Sequence, residues 1–115
     1  MDPKKLRGKG PEAVIQEAII KALKARGWFV IVTHGNIYQQ GLPDLMCYHK
    51  SFGQRFIEVK NPYHYRFTPA QLTCFPEIIK SGVGIWVLTS AEPQELDKLM
   101  QPHNFALFYV SDGKV

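Results

Sequence analysis

Apolar residues between Pro11 and about Arg26 recur at helical spacing, with Ile15, Ala18, Ile19, Ala22 and Leu23 forming one stripe. Pro11 suits the first turn of such a helix and Gly27 stops it. Trp28–Thr33 is β-branched and aromatic, which predicts a strand. Residues 34–41 are polar and read as a loop. Two more strands follow, Leu42–His49 and Gln54–Lys60, joined by a short turn containing Gly53. Asn61-Pro62 ends the later one, because proline cannot continue a ladder. Thr68 is a good N-cap with Pro69 behind it, so a second helix is expected from Pro69 to Ser81, kinked or split by Pro76. Val83–Thr89 predicts a buried strand, and Ser90–Gln101 a short amphipathic helix with Leu96, Leu99 and Met100 inward. Asn104–Ser111 is expected to be a last strand. The predicted order is α-β-β-β-α-β-α-β. Strands joined through helices can lie parallel, so the fold class is α/β, a mixed sheet flanked by helices.

A chain of 115 residues fits one compact domain, expected over residues 11–115 behind a basic arm over residues 1–10. That arm carries Lys4, Lys5, Arg7 and Lys9, which fits a phosphate contact or a solvated tail. Fourteen basic residues against ten acidic ones leave a net charge of +4, which suits a polyanionic partner. The spacing of Cys47 and Cys74 fits neither a zinc site nor a disulfide framework, so both read as thiols in a reducing compartment. Met1–Gly10 lacks the apolar core of a secretory signal, and no apolar run approaches the ~20 residues needed to cross a membrane. A cytoplasmic location is therefore expected, with no membrane partner.

The strand over residues 54–60 carries the chemistry. Side chains two apart on a strand share a face, so Glu58 and Lys60 project together while Ile57 and Val59 point the other way. Such charges cost energy on an apolar strand unless they are paired or bind an ion. A hairpin with a three-residue loop would put Asp44 opposite Lys60, with Glu58 as its diagonal neighbour on the same face. A loop of even length would turn Asp44 to the wrong face. In the favourable register, carboxylates meet near one lysine, the oxygen-rich setting that holds Mg²⁺ or Mn²⁺. On the first helix, Glu12 lies within roughly 50° of the centre of the apolar stripe, whereas Glu17 points away. Glu12 thus faces the sheet and can join the cluster.

Pro43-Asp44 followed by Glu58-Val59-Lys60 resembles the PD-(D/E)XK nuclease signature, and the wider pattern is similar to the virus-type replication-repair nuclease (VRR-NUC) domain. The residues carrying that resemblance are Glu12 to Gln16, Gly41-Leu-Pro43-Asp44, Phe56-Ile57-Glu58-Val59-Lys60 and a later Gln71, over roughly residues 11–90. The stretch Asn61 to Phe67 departs from it, being more aromatic than the expected glycine-rich turn. The resemblance implies a restriction-endonuclease-like αβββαβ core and a metal-dependent endonuclease acting on DNA. It implies Asp44, Glu58, the Val59 carbonyl and Glu12 as ligands of Mg²⁺ or Mn²⁺, and Lys60 as the group that orients or deprotonates the nucleophile or neutralises the phosphate. Gln71 would position Lys60 or a phosphate. Arg66, His34, Lys9 and Arg7 are candidate DNA contacts, and Tyr63, His64 and Tyr65 could stack on an unpaired base or close the core. Stand-alone members of the family look like homodimers, which suits branched DNA such as Holliday junctions. The alternatives are a nicking or restriction-type nuclease on linear DNA and a non-catalytic DNA-binding module on the same fold. The apolar stretch Phe105 to Tyr109 is a candidate dimer face.

Overall fold

The structure, a computed structural model, describes residues 10–33 and 41–111. The expected contacts Lys9, Arg7 and His34 lie outside the described residues. The first helix, α1 (Pro11–Ala25), starts on Gly10 with Pro11 in its first turn and carries Glu12 there too. Ile19 and Leu23 are its fully buried residues, while Ala18 of the expected stripe is exposed. Strands β1 (Phe29–Val32), β2 (Leu45–His49) and β3 (Gly53–Val59) form an antiparallel meander, and β4 (Ile85–Leu88) lies parallel to β3. The sheet order is β1-β2-β3-β4. A parallel neighbour needs a crossover, and α2 (Pro69–Lys80) supplies it.

Two cores form on the two faces of this sheet. Ile57, Val59, Leu45 and Cys47 pack with Ile19 and Leu23 of α1 on one face. On the other, Ile85 and Val87 pack with Phe75 of α2 and Phe67 before it. The α2 face leaves β1 and part of β2 bare, so Phe29, Ile31 and Tyr48 stay partly exposed at the sheet edge.

Helix α2 runs unbroken through Pro76. Proline removes one backbone bond and crowds the preceding turn. Here the fully buried Phe75 holds the helix against Phe67 and Phe105, at ring-centroid distances of 6.0 and 5.3 Å. Packing outweighs the local cost. Residues 90–101 are also more broken than their amphipathic pattern implies, forming a short α3 (Pro93–Leu96) and a 3₁₀ turn over Asp97–Met100.

The expected last strand is instead a helix, α4 (Phe105–Ser111). Its cause is visible at the outer edge of β4. The Val87 N–H donates to Asn104 Oδ1 at 2.6 Å, and Asn104 Nδ2 donates to the Val87 carbonyl at 3.1 Å. One side-chain amide thus occupies the place of a fifth strand. The chain then turns helical, and Phe105, Phe108 and Tyr109, at spacings of three and four, face the α2 core. Leu107 of the same stretch stays exposed at 70%. No described helix is long and apolar enough to cross a membrane.

Candidate metal centre

The β2–β3 hairpin sets the site. His49 pairs with Gly53 across a loop of Lys50, Ser51 and Phe52, three residues long as expected but placed one residue earlier than pairing Asp44 with Lys60 would need, with Gly53 in β3 and not in the turn. The register pairs Leu45 with Ile57, so continuing it aligns Asp44 with Glu58, two residues from the expected partner Lys60. Parity is kept, and so is the face. Asp44 sits just before the strand begins, tied down from both sides. Its N–H donates to Glu58 Oε1 at 3.2 Å, and its Oδ2 accepts the Val59 N–H at 2.8 Å. The Asp44 carbonyl accepts from the Thr33 N–H, extending the β1–β2 ladder, and the Thr33 hydroxyl donates to the Pro43 carbonyl.

Gly41 lets this segment reach α2. Its φ is +89°, and a Cβ there would lie 2.8 Å from the Ala70 carbonyl oxygen and 3.0 Å from Cys74 Cβ. Only glycine meets both demands. The Gly-Leu-Pro-Asp run is therefore a seat against the first turn of α2 that delivers Asp44 to the sheet.

Glu58 and Lys60 are nearly fully buried, at 1% and 3% exposure. Their ion pair measures 2.9 Å. The Lys60 ammonium also donates to the Arg66 carbonyl at 2.8 Å and to Gln71 Oε1 at 3.4 Å, and sits 4.7 Å from the centre of the Phe67 ring. Three protons meet three acceptors, with an aromatic face beneath.

Gln71 is buried, not a solvent-facing helix residue. Its Nε2 donates to Glu58 Oε2 at 2.8 Å, and its Oε1 accepts the Thr68 N–H at 3.1 Å. Thr68 returns the bond, its hydroxyl accepting the Gln71 N–H at 3.1 Å. This is a capping box, and it locks the amide so that its NH₂ faces Glu58. The Thr-x-x-Gln spacing signals the box in sequence, although it does not reveal that the glutamine also holds a buried glutamate.

Glu12 completes the cluster. Oxygen atoms of Glu12, Asp44 and Glu58 all lie within 4.8 Å of one another. Glu12 is half-buried, whereas Glu17 is exposed, as helix phase requires. Burial raises the Glu12 carboxyl, with Lys60 opposing, Asp44 adding to the rise, and a hydrogen bond from the Asn61 backbone lowering it. Burial also raises Asp44, against the pull of the Val59 N–H, Lys60 and Glu58. Glu58 is pushed up to about 8, by burial first and by Asp44 second. One ammonium does not balance three crowded carboxylates. The donors are hard oxygens, and the excess negative charge is what a divalent cation would neutralise, so this set fits a hard divalent cation.

Other expected residues fall differently. The Arg66 side chain is exposed, and its contribution inside the site is its carbonyl. Tyr65 closes the α2 core against Phe67 and Phe108, while Tyr63 and His64 face solvent. Cys47 is buried and Cys74 half-buried, both free, and burial pushes the Cys47 thiol up to about 12. Phe67 and the Asn61 backbone are contributors that sequence reasoning misses, because neither belongs to a charged motif.

A four-stranded mixed sheet flanked by helices, with acidic groups and a lysine at the β2–β3 end, is consistent with a restriction-endonuclease-like fold. Among solved structures, one titled "VRR_NUC domain" is similar to this chain, with a TM-score of 0.62 and 25% sequence identity. The likeness covers 81% of this chain and 97% of that one, and it supports a VRR-NUC domain here. No family model matches the chain, and no curated protein does.

Proposed function

We propose that this chain is a divalent-metal-dependent endonuclease hydrolysing phosphodiester bonds in DNA, with branched DNA such as Holliday junctions as its substrate. The observation that carries the reading is the meeting of Glu12, Asp44 and Glu58 within 4.8 Å, beside Lys60. The likeness to a VRR_NUC domain supports a nuclease-family domain, which would occupy residues 11–115 behind the basic arm.

Asp44 and Glu58 would hold Mg²⁺ or Mn²⁺, with Glu12 joining directly or through water and the Val59 carbonyl as a further donor. When bound, the ion would acidify a water and offset charge growing on the scissile phosphate. The chain's own groups do the positioning. Gln71 fixes one Glu58 oxygen, the Val59 N–H fixes one Asp44 oxygen, and the Asn61 backbone restrains Glu12. Lys60 finds an acceptor for each of its three protons. From that place Lys60 would orient or deprotonate the nucleophile, or neutralise the phosphate. Arg66, exposed near the site, would contact the backbone, as would Arg7, Lys9 and His34. Among the described residues there is one such centre, so cutting two strands of a junction calls for a homodimer.

The test is cleavage of synthetic four-way, flap and linear DNA with Mg²⁺, Mn²⁺ or chelator, comparing wild type with Asp44→Ala. Metal-dependent cutting that Asp44→Ala abolishes is the expected result. Activity surviving that substitution removes the proposed site, and binding without cutting turns the reading to a DNA-binding module. Light scattering tests the dimer separately.

A further inference from the structure

Directly after Lys60 the chain makes a tight turn, Asn61-Pro62-Tyr63-His64, closed by the His64 N–H on the Asn61 carbonyl at 3.3 Å. The Asn61 side chain accepts the Tyr63 N–H at 3.1 Å, and Pro62 has its φ fixed by its ring. The turn lies next to the carboxylate cluster, since it follows directly on Lys60, which pairs with Glu58 at 2.9 Å. Tyr63 stands on it at 94% exposure. A tyrosine ring usually buries a large area and anchors a core or an interface. Here two residues on, Tyr65 does that work against Phe67 and Phe108, leaving Tyr63 beside exposed His64 and Arg66. The ring contributes almost nothing to the fold, yet the backbone beneath it is held firmly. Three residues of chain keep its Cα within about 10 Å of that of Lys60.

We propose that Tyr63 stacks on an unpaired base beside the cleaved phosphate and so selects branched or gapped DNA over perfect duplex. The inference rests on the nuclease reading for the location of that phosphate. Every base has a face that accepts an aromatic ring, so stacking needs no sequence preference. In a duplex those faces are occupied by neighbouring base pairs, and reaching one requires unstacking. With the backbone already held by the turn, only the two side-chain torsions of Tyr63 have to be ordered on binding. His64 and Arg66 offer polar and charged groups on the same exposed stretch for the sugar-phosphate chain.

The experiment measures binding with Ca²⁺ in place of Mg²⁺, using flap DNA that carries 2-aminopurine at the unpaired position and the matched duplex. Wild type, Tyr63→Ala and Tyr63→Phe are compared. Tyr63→Ala should lose about tenfold in affinity for the flap DNA and almost nothing for duplex. Stacking quenches 2-aminopurine, and Tyr63→Phe should keep both the quench and the affinity that Tyr63→Ala loses. Urea midpoints of all three should coincide, since the side chain is exposed. An unchanged flap-to-duplex affinity ratio in Tyr63→Ala, or an equal loss on both DNAs, overturns the proposal. Cleavage by wild type in Mg²⁺ or Mn²⁺ is scored alongside. If wild type cuts nothing, the nuclease reading fails, and the binding ratio still decides whether Tyr63 stacks.

Discussion

Replacing Asp44 by asparagine separates the cost of this site from its use. Asparagine is nearly the same shape, and its Oδ1 can still accept the Val59 N–H that Asp44 Oδ2 takes at 2.8 Å. What disappears is one negative charge. The three carboxylates approach within 4.8 Å of each other. At an effective dielectric of about 20, two charges at that distance repel by about 3.5 kcal/mol. Protonation of Glu58 relieves part of this, and Lys60 offsets part, so the gain on neutralising Asp44 should be about 1–2 kcal/mol in the metal-free protein near pH 8.

The sign follows from Glu58. Its folded-state carboxyl is raised from 4.5 to about 8, so the folded protein holds a proton that the unfolded chain releases. That contribution is complete below pH 4.5 and is lost as pH climbs through about 8. Metal-free wild type should therefore lose stability between those values, and Asp44→Asn should lose less, because Asp44 is the second cause of the rise. A bound cation reverses the ranking. Stabilisation grows with the logarithm of free metal over Kd and reaches ~2.7 kcal/mol at a hundredfold excess. The assay is urea unfolding at pH 5 and pH 8, with chelator and with Mn²⁺. Asp44→Asn should be the more stable protein at pH 8 in chelator and the less stable one in Mn²⁺. A variant less stable than wild type in chelator at pH 8, or one gaining as much from Mn²⁺, refutes the reasoning.

Lys60→Met leaves Glu58 buried without its ammonium, so urea unfolding at pH 8 should show a loss of about 3–5 kcal/mol, smaller at pH 5 where Glu58 is protonated. An equal loss at both pH values would mean that packing, not charge, is the cause. Gly41→Ala forces a Cβ into the Ala70 carbonyl at positive φ and should cost about 2–4 kcal/mol, read as a fall in the thermal midpoint. An unmoved midpoint would show that the loop is not seated on α2. Cys47, with its thiol pushed up to about 12, should resist alkylation in the folded protein while half-buried Cys74 reacts first, as followed by mass spectrometry.

Much of this site is readable because side-chain periodicity is a property of the local backbone. The period of two puts Glu58 and Lys60 on one face, and the 100° step of a helix separates Glu12 from Glu17. Loop parity carries Asp44 to the right face, but parity alone cannot distinguish pairing with Glu58 from pairing with Lys60, which differ by a whole repeat. The final helix escapes for another reason. Asn-Phe-Ala-Leu-Phe-Tyr-Val is a short apolar run compatible with either element, and a single side chain, Asn104, decides by occupying the edge of β4.

The remaining unreadable part is backbone. Lys60 is held by the Arg66 carbonyl, Asp44 by the Val59 N–H, and Glu12 by Asn61, contacts that any residue type at those positions would offer. Charged side chains on a buried strand announce a cost in sequence. What offsets it is distributed over the backbone and over Gln71, whose helix cap and hold on Glu58 are one amide's work. The offset is incomplete, since all three carboxylates remain raised. A site built only for stability would have paired or replaced these charges. Under the proposed function, a bound cation would supply the missing offset.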